Sequence, residues 1–277
     1  MLSVIHITNR GLYPLVGDSL RHVSQYELLS ECLREQTFDD YELICVDQYN
    51  PLPRRELAWL GDRVRLMRPK PSPWHDLGAF APSIARNTGL LSARGDIVFS
   101  IDDCTSFGPT LLEQIAHSAM AGEYVVPVYI KATGERWGWK DRTHCGGIIS
   151  YPRAEALAAG GWEERFAGCY ALEDWEFSGR LARRGVKFVQ SDEAKATLEK
   201  HTPRKADYLR CPWAVSALLD GQEVANVKWT TAQLSVFTAA ECTFKQGDYC
   251  LAREKAGCPC PERPSHRAVA AMLECES

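Results

Sequence analysis

The sequence predicts an α/β domain with a mainly parallel central sheet, followed by a small helical extension rich in cysteine. Two observations lead to this prediction. Short apolar runs alternate with segments of helical periodicity over roughly the first 200 of the 277 residues, and the pattern changes near residue 205, before a cysteine-rich end. A hydrophobic fraction of 45% and a charged fraction of 25% are ordinary for a globular protein. We therefore assign residues 1–205 to one domain and residues 206–277 to the extension.

Apolar runs of strand length define the sheet. Residues 3–8 include Val4, Ile5 and Ile7 and end in a polar turn, which predicts a buried strand. The same reasoning predicts further strands at residues 43–46, 64–67, 97–101, 124–130, 147–151 and 186–189. Apolar residues at helical spacing predict helices at residues 20–33, 54–60, 83–93, 153–159 and 174–184, and one in the extension at residues 213–219.

Polar residues stand where three of the predicted strands end. Asn9 follows the first strand, Asp47 follows the second, and Asp102 comes directly after residues 97–101. Strands that are joined by helical crossovers run parallel, and sheets of this kind bind ligands at the carboxyl ends of their strands. We therefore expect these three side chains to share one ligand site.

Two adjacent carboxylates, Asp102 and Asp103, close the hydrophobic run of the fourth predicted strand. Carboxylate oxygens suit Mg²⁺ or Mn²⁺, which proteins commonly share with substrate phosphates. We predict that Asp103 binds the metal and that Asp102 bonds a ribose hydroxyl, and the reverse assignment stays open. Taken alone, the dipeptide also fits an exposed turn that caps the following helix.

The charge and the apolar pattern limit the class of partner. A net charge of -4 and a pI near 6.0 give no general attraction to nucleic-acid phosphates, although Arg183, Arg184, Arg204 and Lys205 offer a local basic patch. The first residues lack the basic segment and the long apolar core of a secretory signal, and no apolar run reaches the length of a membrane span. We expect a cytoplasmic protein without integral membrane contact.

Several short motifs occur in an order that a known family shares. They are Ala-Arg-Asn-Thr-Gly at 85–89, Ala-Arg-Gly-Asp at 93–96, the strand that leads to Asp102, Gly-Gly-Trp at 160–162 and Glu-Asp-Trp-Glu at 173–176. In this order, over about residues 3–190, the chain resembles the family 2 glycosyltransferases of GT-A fold. The resemblance implies a Rossmann-like single domain, a nucleotide-sugar donor (a UDP-sugar first), a divalent metal and inversion at the sugar carbon. The chain departs from the family in one respect: the family's metal motif usually separates its two aspartates by one residue, whereas Asp102 and Asp103 are adjacent.

The resemblance also assigns residues to the nucleotide pocket. Asp47 would accept a hydrogen bond from the base, and Arg86 and Asn87 would lie beside the nucleotide or the metal. Each also has a local interpretation, because Asp47 suits a turn, Asn87 suits a bond that stabilises its helix, and Arg86 suits an exposed surface. The residues assigned to the nucleotide so far are Thr8, Asn9, Arg10, Asp47, Arg86 and Asn87.

Glycosyl transfer to a hydroxyl requires a general base for the acceptor proton. By resemblance Asp174 is that base, and Glu173 bonds an acceptor hydroxyl. The alternative is that both residues only favour the positive end of the helix that follows. Trp162 is the first choice for a flat apolar face against the sugar. His201 follows the last predicted strand, where some relatives supply an additional metal ligand, and a neutral imidazole suits Mn²⁺.

The cysteines of the extension form a separate question. Cys242, Cys250, Cys258, Cys260 and Cys275, with His266 among them, supply enough ligands for a structural Zn²⁺ site. Their spacing is not that of a standard zinc finger, since only one pair is close in sequence. Reduced cysteines in a small helical appendage are the favoured interpretation, and a disulfide pair stays open.

These observations together predict a metal-dependent, hexosyltransferase-like enzyme that moves a sugar from a nucleotide-sugar to an acceptor hydroxyl. The acceptor is open among a saccharide, a lipid-linked sugar, a protein and a hydroxylated base in DNA. A non-catalytic nucleotide-sugar-binding protein is the alternative from another functional class. A nucleotidyltransferase and a dehydrogenase are disfavoured because the chain lacks a glycine-rich phosphate loop after its early strands.

Overall fold

The computed structural model describes residues 1–8, 15–16, 22–47, 54–70, 81–131, 134–137, 147–164 and 173–199. Asn9, Arg10 and His201 lie outside these ranges. The extension also lies outside them, with its predicted helix at residues 213–219 and its proposed zinc ligands. Within the described ranges, no helix is long and apolar enough to cross a membrane.

The described residues form an α/β arrangement. The strands are β1 (Leu2–Thr8), β2 (Leu15–Val16), β3 (His22–Val23), β4 (Tyr41–Asp47), β5 (Val64–Met67), β6 (Ile97–Asp102), β7 (Thr105–Phe107), β8 (Glu123–Lys131), β9 (Arg136–Trp137), β10 (Ile149–Pro152) and β11 (Lys187–Leu198). The helices are α1 (Gln25–Arg34), α2 (Pro82–Ser92), α3 (Leu111–Met120), α4 (Arg153–Ala158) and α5 (Glu173–Arg183), and a 3₁₀ segment spans Arg55–Arg63.

The central sheet has the strand order β10-β6-β1-β4-β5. Strands β6, β1, β4 and β5 are parallel, and β10 joins the edge antiparallel to β6. This confirms the prediction of a mainly parallel sheet. A second sheet has the order β7-β11-β8-β9, in which β11 is parallel to β8 and the two edge strands are antiparallel.

Strands β1 and β4 are buried along their whole length, as expected for parallel strands with both faces covered. Successive side chains point to opposite faces, so neighbouring residues of β1 belong to different apolar clusters. Val4 packs in a cluster with Tyr26 of α1. Ile5 packs in the other cluster, with Ala85 of α2 and Phe177 of α5. Helices α2 and α5 therefore share one face of the sheet.

A network of polar contacts closes the amino end of the central sheet around Glu42. Its Oε1 accepts hydrogen bonds from the Ser3 hydroxyl at 2.7 Å and from the Arg94 backbone N–H at 2.6 Å, and its Oε2 pairs with Arg65 at 2.7 Å. Burial alone would raise the pKa of Glu42, but these bonds and the charge of Arg65 lower it. This carboxylate therefore stabilises the end of the sheet opposite to the strand ends considered below.

Helix α1 begins later than the sequence pattern predicts. The apolar spacing places its start near Leu20, whereas Val23 lies in strand β3 and the helix begins at Gln25. Ser24 explains the difference, because its hydroxyl caps the backbone N–H of Glu27 and the Glu27 carboxylate returns a bond to Ser24 N–H. A reciprocal capping box of this kind ends the extended segment and starts the helix.

Other boundaries differ for identifiable reasons. The predicted helix at residues 54–60 is a 3₁₀ segment interrupted at Gly61, whose φ is +55°. The last strand runs from Lys187 to Leu198 and not to residue 189, since charged residues on its exposed side hide its pattern. Helix α3 and strand β7 were not among the predicted elements. The spacing of Leu111, Leu112 and Ile115, which are buried, is the signal for α3.

Candidate active site

The carboxyl ends of the parallel strands lie side by side. In the sheet register, Thr8 at the end of β1 is opposite Asp47 at the end of β4. On the other side of β1, Ile7 is opposite Asp102 at the end of β6. The sequence therefore correctly predicts that Asp47 and Asp102 lie at the same end of the sheet, on either side of β1, because parallel strands end on the same side.

Asp102 and Asp103 are adjacent in sequence but have different partners. The Thr8 hydroxyl donates a 2.7 Å hydrogen bond to Oδ2 of Asp103, which is 8% exposed. The side chain of Asp102 is 31% exposed, and its Oδ1 accepts a 2.9 Å bond from Arg86. Strand β1 thus holds one carboxylate and helix α2 holds the other.

Arg86 joins the carboxyl end of β6 to the start of helix α5. One guanidinium nitrogen donates to Asp102 at 2.9 Å, and the other donates to Glu173 Oε1 at 3.0 Å. The arginine side chain is only 3% exposed, and its guanidinium carbon lies 4.5 Å from the centre of the Trp162 ring. The interpretation of Arg86 as a solvated surface charge is therefore wrong. Its charge is buried between two carboxylates that lie far apart in sequence.

The charges at this bridge change the acidity of its members. Burial opposes the charged form of Arg86, but Asp102, Glu173 and Asp174 together raise the pKa of its guanidinium. Burial, followed by the charge of Asp174, raises the pKa of Glu173, and Arg86 partly offsets that rise. Arg86 therefore stays protonated, and Glu173 holds a proton more tightly than an ordinary glutamate.

Gly147 leaves the space in which the bridge forms. A Cβ atom at this position would collide with the Arg86 guanidinium and with the Asp102 carboxylate. Any larger residue would have to displace one of these two side chains. The backbone at Gly147 therefore lies directly against the ion pair.

We expect Gly147→Ala to lower the free energy of unfolding by about 1–3 kcal/mol, since overpacking of a filled site costs energy of this size. Urea unfolding followed by circular dichroism measures the loss. Gly108→Ala is the matched control, because a Cβ at Gly108 meets nothing within 4 Å. Equal stability of the two variants would contradict the steric role of Gly147.

Glu173 and Asp174 start helix α5 in different surroundings. Glu173 is 7% exposed and its Oε1 is bonded to Arg86, whereas Asp174 is only partly buried. Negative charge in a first helical turn is favoured by the helix dipole, which accounts for part of the placement of both. Of the two side chains, Asp174 is the more exposed.

Asp47 is completely buried at the strand edge. Its Oδ2 accepts a 2.6 Å bond from the Tyr26 hydroxyl and a 3.2 Å bond from Arg54. The guanidinium of Arg54 also lies over the Tyr26 ring, 4.6 Å from its centre. The carboxylate is thus oriented by α1 and by the segment after β4. A nucleotide base bonded to Asp47, as the resemblance implies, would lie beside Tyr26 and Arg54.

Asn87 anchors helix α2 to the turn that contains Trp162. Its carboxamide oxygen accepts from Trp162 N–H at 2.6 Å, and its nitrogen donates to the Trp162 carbonyl and to Glu164 Oε1, both at 2.8 Å. The side chain has no exposed surface. These bonds turn Asn87 toward residues 162–164. A place beside the nucleotide or metal, as the resemblance implies, would require it to leave them.

The predicted role of Trp162 as a sugar platform is wrong for this structure. Its side chain is fully buried, and its ring stacks on Phe177 with a centroid distance of 3.9 Å. Tyr151 packs against both rings at steep angles. The turn before Trp162 favours glycine, because Gly160 and Gly161 both have positive φ. Trp162 is a core residue beneath Arg86.

The sequence reasoning missed three buried polar residues near the strand edge. Lys70 and Glu164 form an ion pair with 1% and 0% exposure. His6 lies two residues before Thr8 and is 1% exposed, and within the described part of the chain neither of its ring nitrogens has a hydrogen-bond partner. Burial lowers the pKa of His6, although Asp103, Asp47 and Asp102 oppose the change. The signal that was available for His6 was a polar residue inside an apolar strand.

The described residues that could supply ligands to a divalent cation are the two carboxylates at the end of β6, Asp102 and Asp103. Among the residues that the structure describes, no group of three or more His, Cys, Asp or Glu side chains is placed to hold a metal ion. Mg²⁺ commonly uses one or two carboxylates together with water and substrate phosphates, so the pair Asp102 and Asp103 fits such an ion. His201, Asn9 and Arg10 belong to the undescribed residues, and their predicted roles stay predictions.

Comparison with known proteins identifies a fold. No family model matches the sequence, and no curated protein matches it. A crystal structure of S. aureus TarS has a TM-score of 0.51 at 15% identity, over 72% of this chain and 36% of that chain. A TarS 1–349 structure gives 0.54 at 16% over 72% and 60%, and one in complex with UDP gives 0.53 at 15% over 71% and 59%. The chain thus spans less than two thirds of these TarS chains, and it shares their fold.

Proposed function

We propose that this protein is a glycosyltransferase that moves a sugar from a UDP-sugar to a hydroxyl group of an acceptor. The observation that carries the proposal is the Arg86 bridge between Asp102 and Glu173. It brings the strand-end carboxylates and the first turn of α5 into one site. A transferase needs this arrangement because the donor and the acceptor must meet there.

Three observations support the donor class. The ordered motifs of the sequence resemble those of family 2 glycosyltransferases, and the fold is shared with TarS, of which one structure holds UDP. UDP is the nucleotide that a UDP-sugar releases on transfer. A site at the carboxyl ends of β1, β4 and β6 is also where an open parallel sheet binds nucleotides.

The donor side of the site is assigned to residues of the strand ends. We propose that Asp47 bonds the base, that Asp102 bonds the ribose, and that Asp103, held by Thr8, binds Mn²⁺ or Mg²⁺. When bound, such an ion neutralises charge on the departing diphosphate. Arg86 holds Asp102 in place and balances its charge. Asn9, Arg10 and His201 retain their predicted roles in the pocket and at the metal.

The acceptor side is assigned to the start of α5. Asp174 is proposed to take the proton of the acceptor hydroxyl, because it is more exposed than Glu173 and Arg86 is bonded to its neighbour. Glu173 is proposed to accept a bond from an acceptor hydroxyl through its second oxygen, which has no hydrogen-bond partner among the residues that the structure describes. A base that deprotonates the acceptor directly is consistent with a single displacement and therefore with inversion.

The first experiment is calorimetric titration of the purified protein with a panel of nucleoside diphosphates, with and without MnCl₂. We expect UDP to bind most tightly and Mn²⁺ to increase its affinity. Asp103→Ala is expected to remove the effect of Mn²⁺, because it deletes the proposed ligand.

Asp40→Ala is the matched control for this titration. Asp40 is an exposed carboxylate that pairs with the chain's amino group next to the opposite end of β4. It should leave both UDP binding and the Mn²⁺ effect unchanged. Failure of the wild-type protein to bind any nucleoside diphosphate would overturn the proposed function. UDP binding without any transfer would indicate a non-catalytic nucleotide-sugar-binding protein.

A further inference from the structure

A buried ion pair lies between the segment after β5 and the turn after α4. The ammonium of Lys70 is 2.6 Å from Oε2 of Glu164, and the two side chains are 1% and 0% exposed. Removal of two charges from water is costly, and their attraction offsets that cost only when the geometry is good and further hydrogen bonds are made. A pair of this kind is therefore weak evidence for stability and calls for another role.

Glu164 continues the contact to helix α2. Its other oxygen, Oε1, accepts a 2.8 Å hydrogen bond from Asn87, whose carboxamide also bonds both backbone groups of Trp162. Gly161 leaves room for this arrangement, since a Cβ there would lie 2.5 Å from the Asn87 oxygen. The carboxylate of Glu164 thus helps to fix which way the Asn87 amide faces.

Asn87 is adjacent to Arg86 in sequence, and Trp162, which Asn87 binds, also contacts that arginine. The Trp162 backbone is held by Asn87, while the Trp162 ring lies under the Arg86 guanidinium. Helix α5 is tied to the same turn, because Arg180 donates to the Gly161 carbonyl at 2.8 Å. The position of Arg86 between Asp102 and Glu173 therefore depends on the turn that Glu164 supports.

We infer that Glu164, oriented by Lys70, is a positioning residue that acts through Asn87 and Arg86 to hold Asp102 for the nucleotide. The inference rests on the proposed function, since Asp102 is assigned to the ribose there. Neither Glu164 nor Lys70 is assigned any contact with substrate.

The electrostatics of Glu164 agree with this geometry. Burial raises its pKa to about 7, and the charge of Lys70 and the bond from Asn87 both oppose the rise. The two partners therefore favour the carboxylate, which is the form that accepts bonds from both of them. Without Lys70, burial would leave the group protonated at neutral pH, and the protonated carboxyl would offer Asn87 fewer acceptor sites.

The test compares Glu164→Ala with Glu42→Ala. Glu42 is also a buried, ion-paired carboxylate, but it lies at the opposite end of the sheet, next to Arg65. The dissociation constant of UDP is measured with MnCl₂ by calorimetry, at a temperature where circular dichroism shows both variants to be folded. We expect both to unfold at lower temperature than the wild type, but only Glu164→Ala to bind UDP about tenfold more weakly.

A double-mutant cycle separates positioning from general loss of structure. If Glu164 acts through Arg86, Glu164→Ala has no further effect on UDP affinity once Arg86→Met is present. Additive effects would overturn the inference, and so would wild-type affinity in Glu164→Ala.

If Glu164→Ala does not fold, Lys70→Met replaces it in the measurement of UDP affinity. It retains the volume of the side chain, and we expect about threefold weaker UDP binding, whereas unchanged binding would overturn the role of the pair.

The outcomes distinguish the two proposals. UDP binding by the wild-type protein with no specific effect of Glu164→Ala overturns the positioning role and leaves the proposed function intact. Absence of nucleoside diphosphate binding in the wild-type protein overturns the proposed function, and the inference that rests on it fails as well.

Discussion

Arg86→Met is expected to lower the free energy of unfolding by about 3–5 kcal/mol at pH 8, because removal of one partner leaves a buried charge uncompensated. Arg86 is almost fully buried and bonds both Asp102 and Glu173. Methionine fills much of the same volume, so the loss reports mainly on charge. Urea unfolding followed by circular dichroism measures it.

The same variant has a pH dependence whose sign follows from Glu173. Burial and Asp174 raise the pKa of Glu173 above the ordinary value of 4.5, and Arg86 opposes the rise, so the pKa is higher still without Arg86. A carboxyl whose pKa is raised by folding contributes stability that is fully present when the pH is below its pKa in the unfolded state. This stability is lost as the pH rises through its pKa in the folded state. Because the pKa of Glu173 is higher in the variant, the variant loses more stability than the wild type as pH rises. Its deficit relative to the wild type should therefore grow as pH rises from about 5 to about 8.

The matched control for this experiment is Arg184→Met. Arg184 forms an ion pair with Glu155 at 3.1 Å, in which both side chains are more than a third exposed. Surface pairs of this kind contribute less than about 1 kcal/mol. A similarly small loss for Arg86→Met, or a deficit that shrinks with rising pH, would contradict the buried bridge.

Asp174→Asn is expected to reduce sugar transfer by about 10²–10⁴-fold while UDP binding stays unchanged, since a positioned general base contributes an effect of this size. Asparagine has nearly the same shape but does not accept a proton. Transfer is followed as UDP release from UDP-sugars in the presence of hydroxyl acceptors, and UDP affinity is measured separately by calorimetry.

Glu173→Gln tests the assignment between the two adjacent acids. Glu173 is buried against Arg86, so this change should alter stability and acceptor affinity more than the proton transfer itself. Asp192→Asn is the matched surface control, because its side chain is 80% exposed. Full activity in Asp174→Asn together with loss of activity in Glu173→Gln would move the base to Glu173.

Much of the fold could be predicted because each local pattern limits how its segment can pack. Continuous apolar runs such as residues 43–46 require a strand covered on both faces, and crossover helices require parallel pairing. The placement of Asp47 and Asp102 at the same end of the sheet follows from that pairing. Helix α3, strand β7 and the full length of β11 escaped prediction, because periodicity is weak where charged or partly exposed residues interrupt the apolar positions.

The individual roles within the site were harder to predict than the edge itself. The motif around residues 85–89 placed Arg86 and Asn87 together at the nucleotide, yet their side chains point to different partners. Trp162 looked like a surface for a sugar, and it is buried against Phe177. Lys70 and Glu164 carry no local signal, because an ion pair between distant segments has no sequence spacing that reveals it.

The sequence by itself determined the mainly parallel sheet and the edge at which its carboxylates gather, because the periodicity of side chains and the direction of crossover connections are local properties of the chain. Only the tertiary structure decided that Arg86 bridges Asp102 and Glu173, that Asn87 and Trp162 are interior supports, and that Asp174 is more exposed than its neighbour. These features depend on which side chains meet across distant segments once burial forces each charge to find a partner.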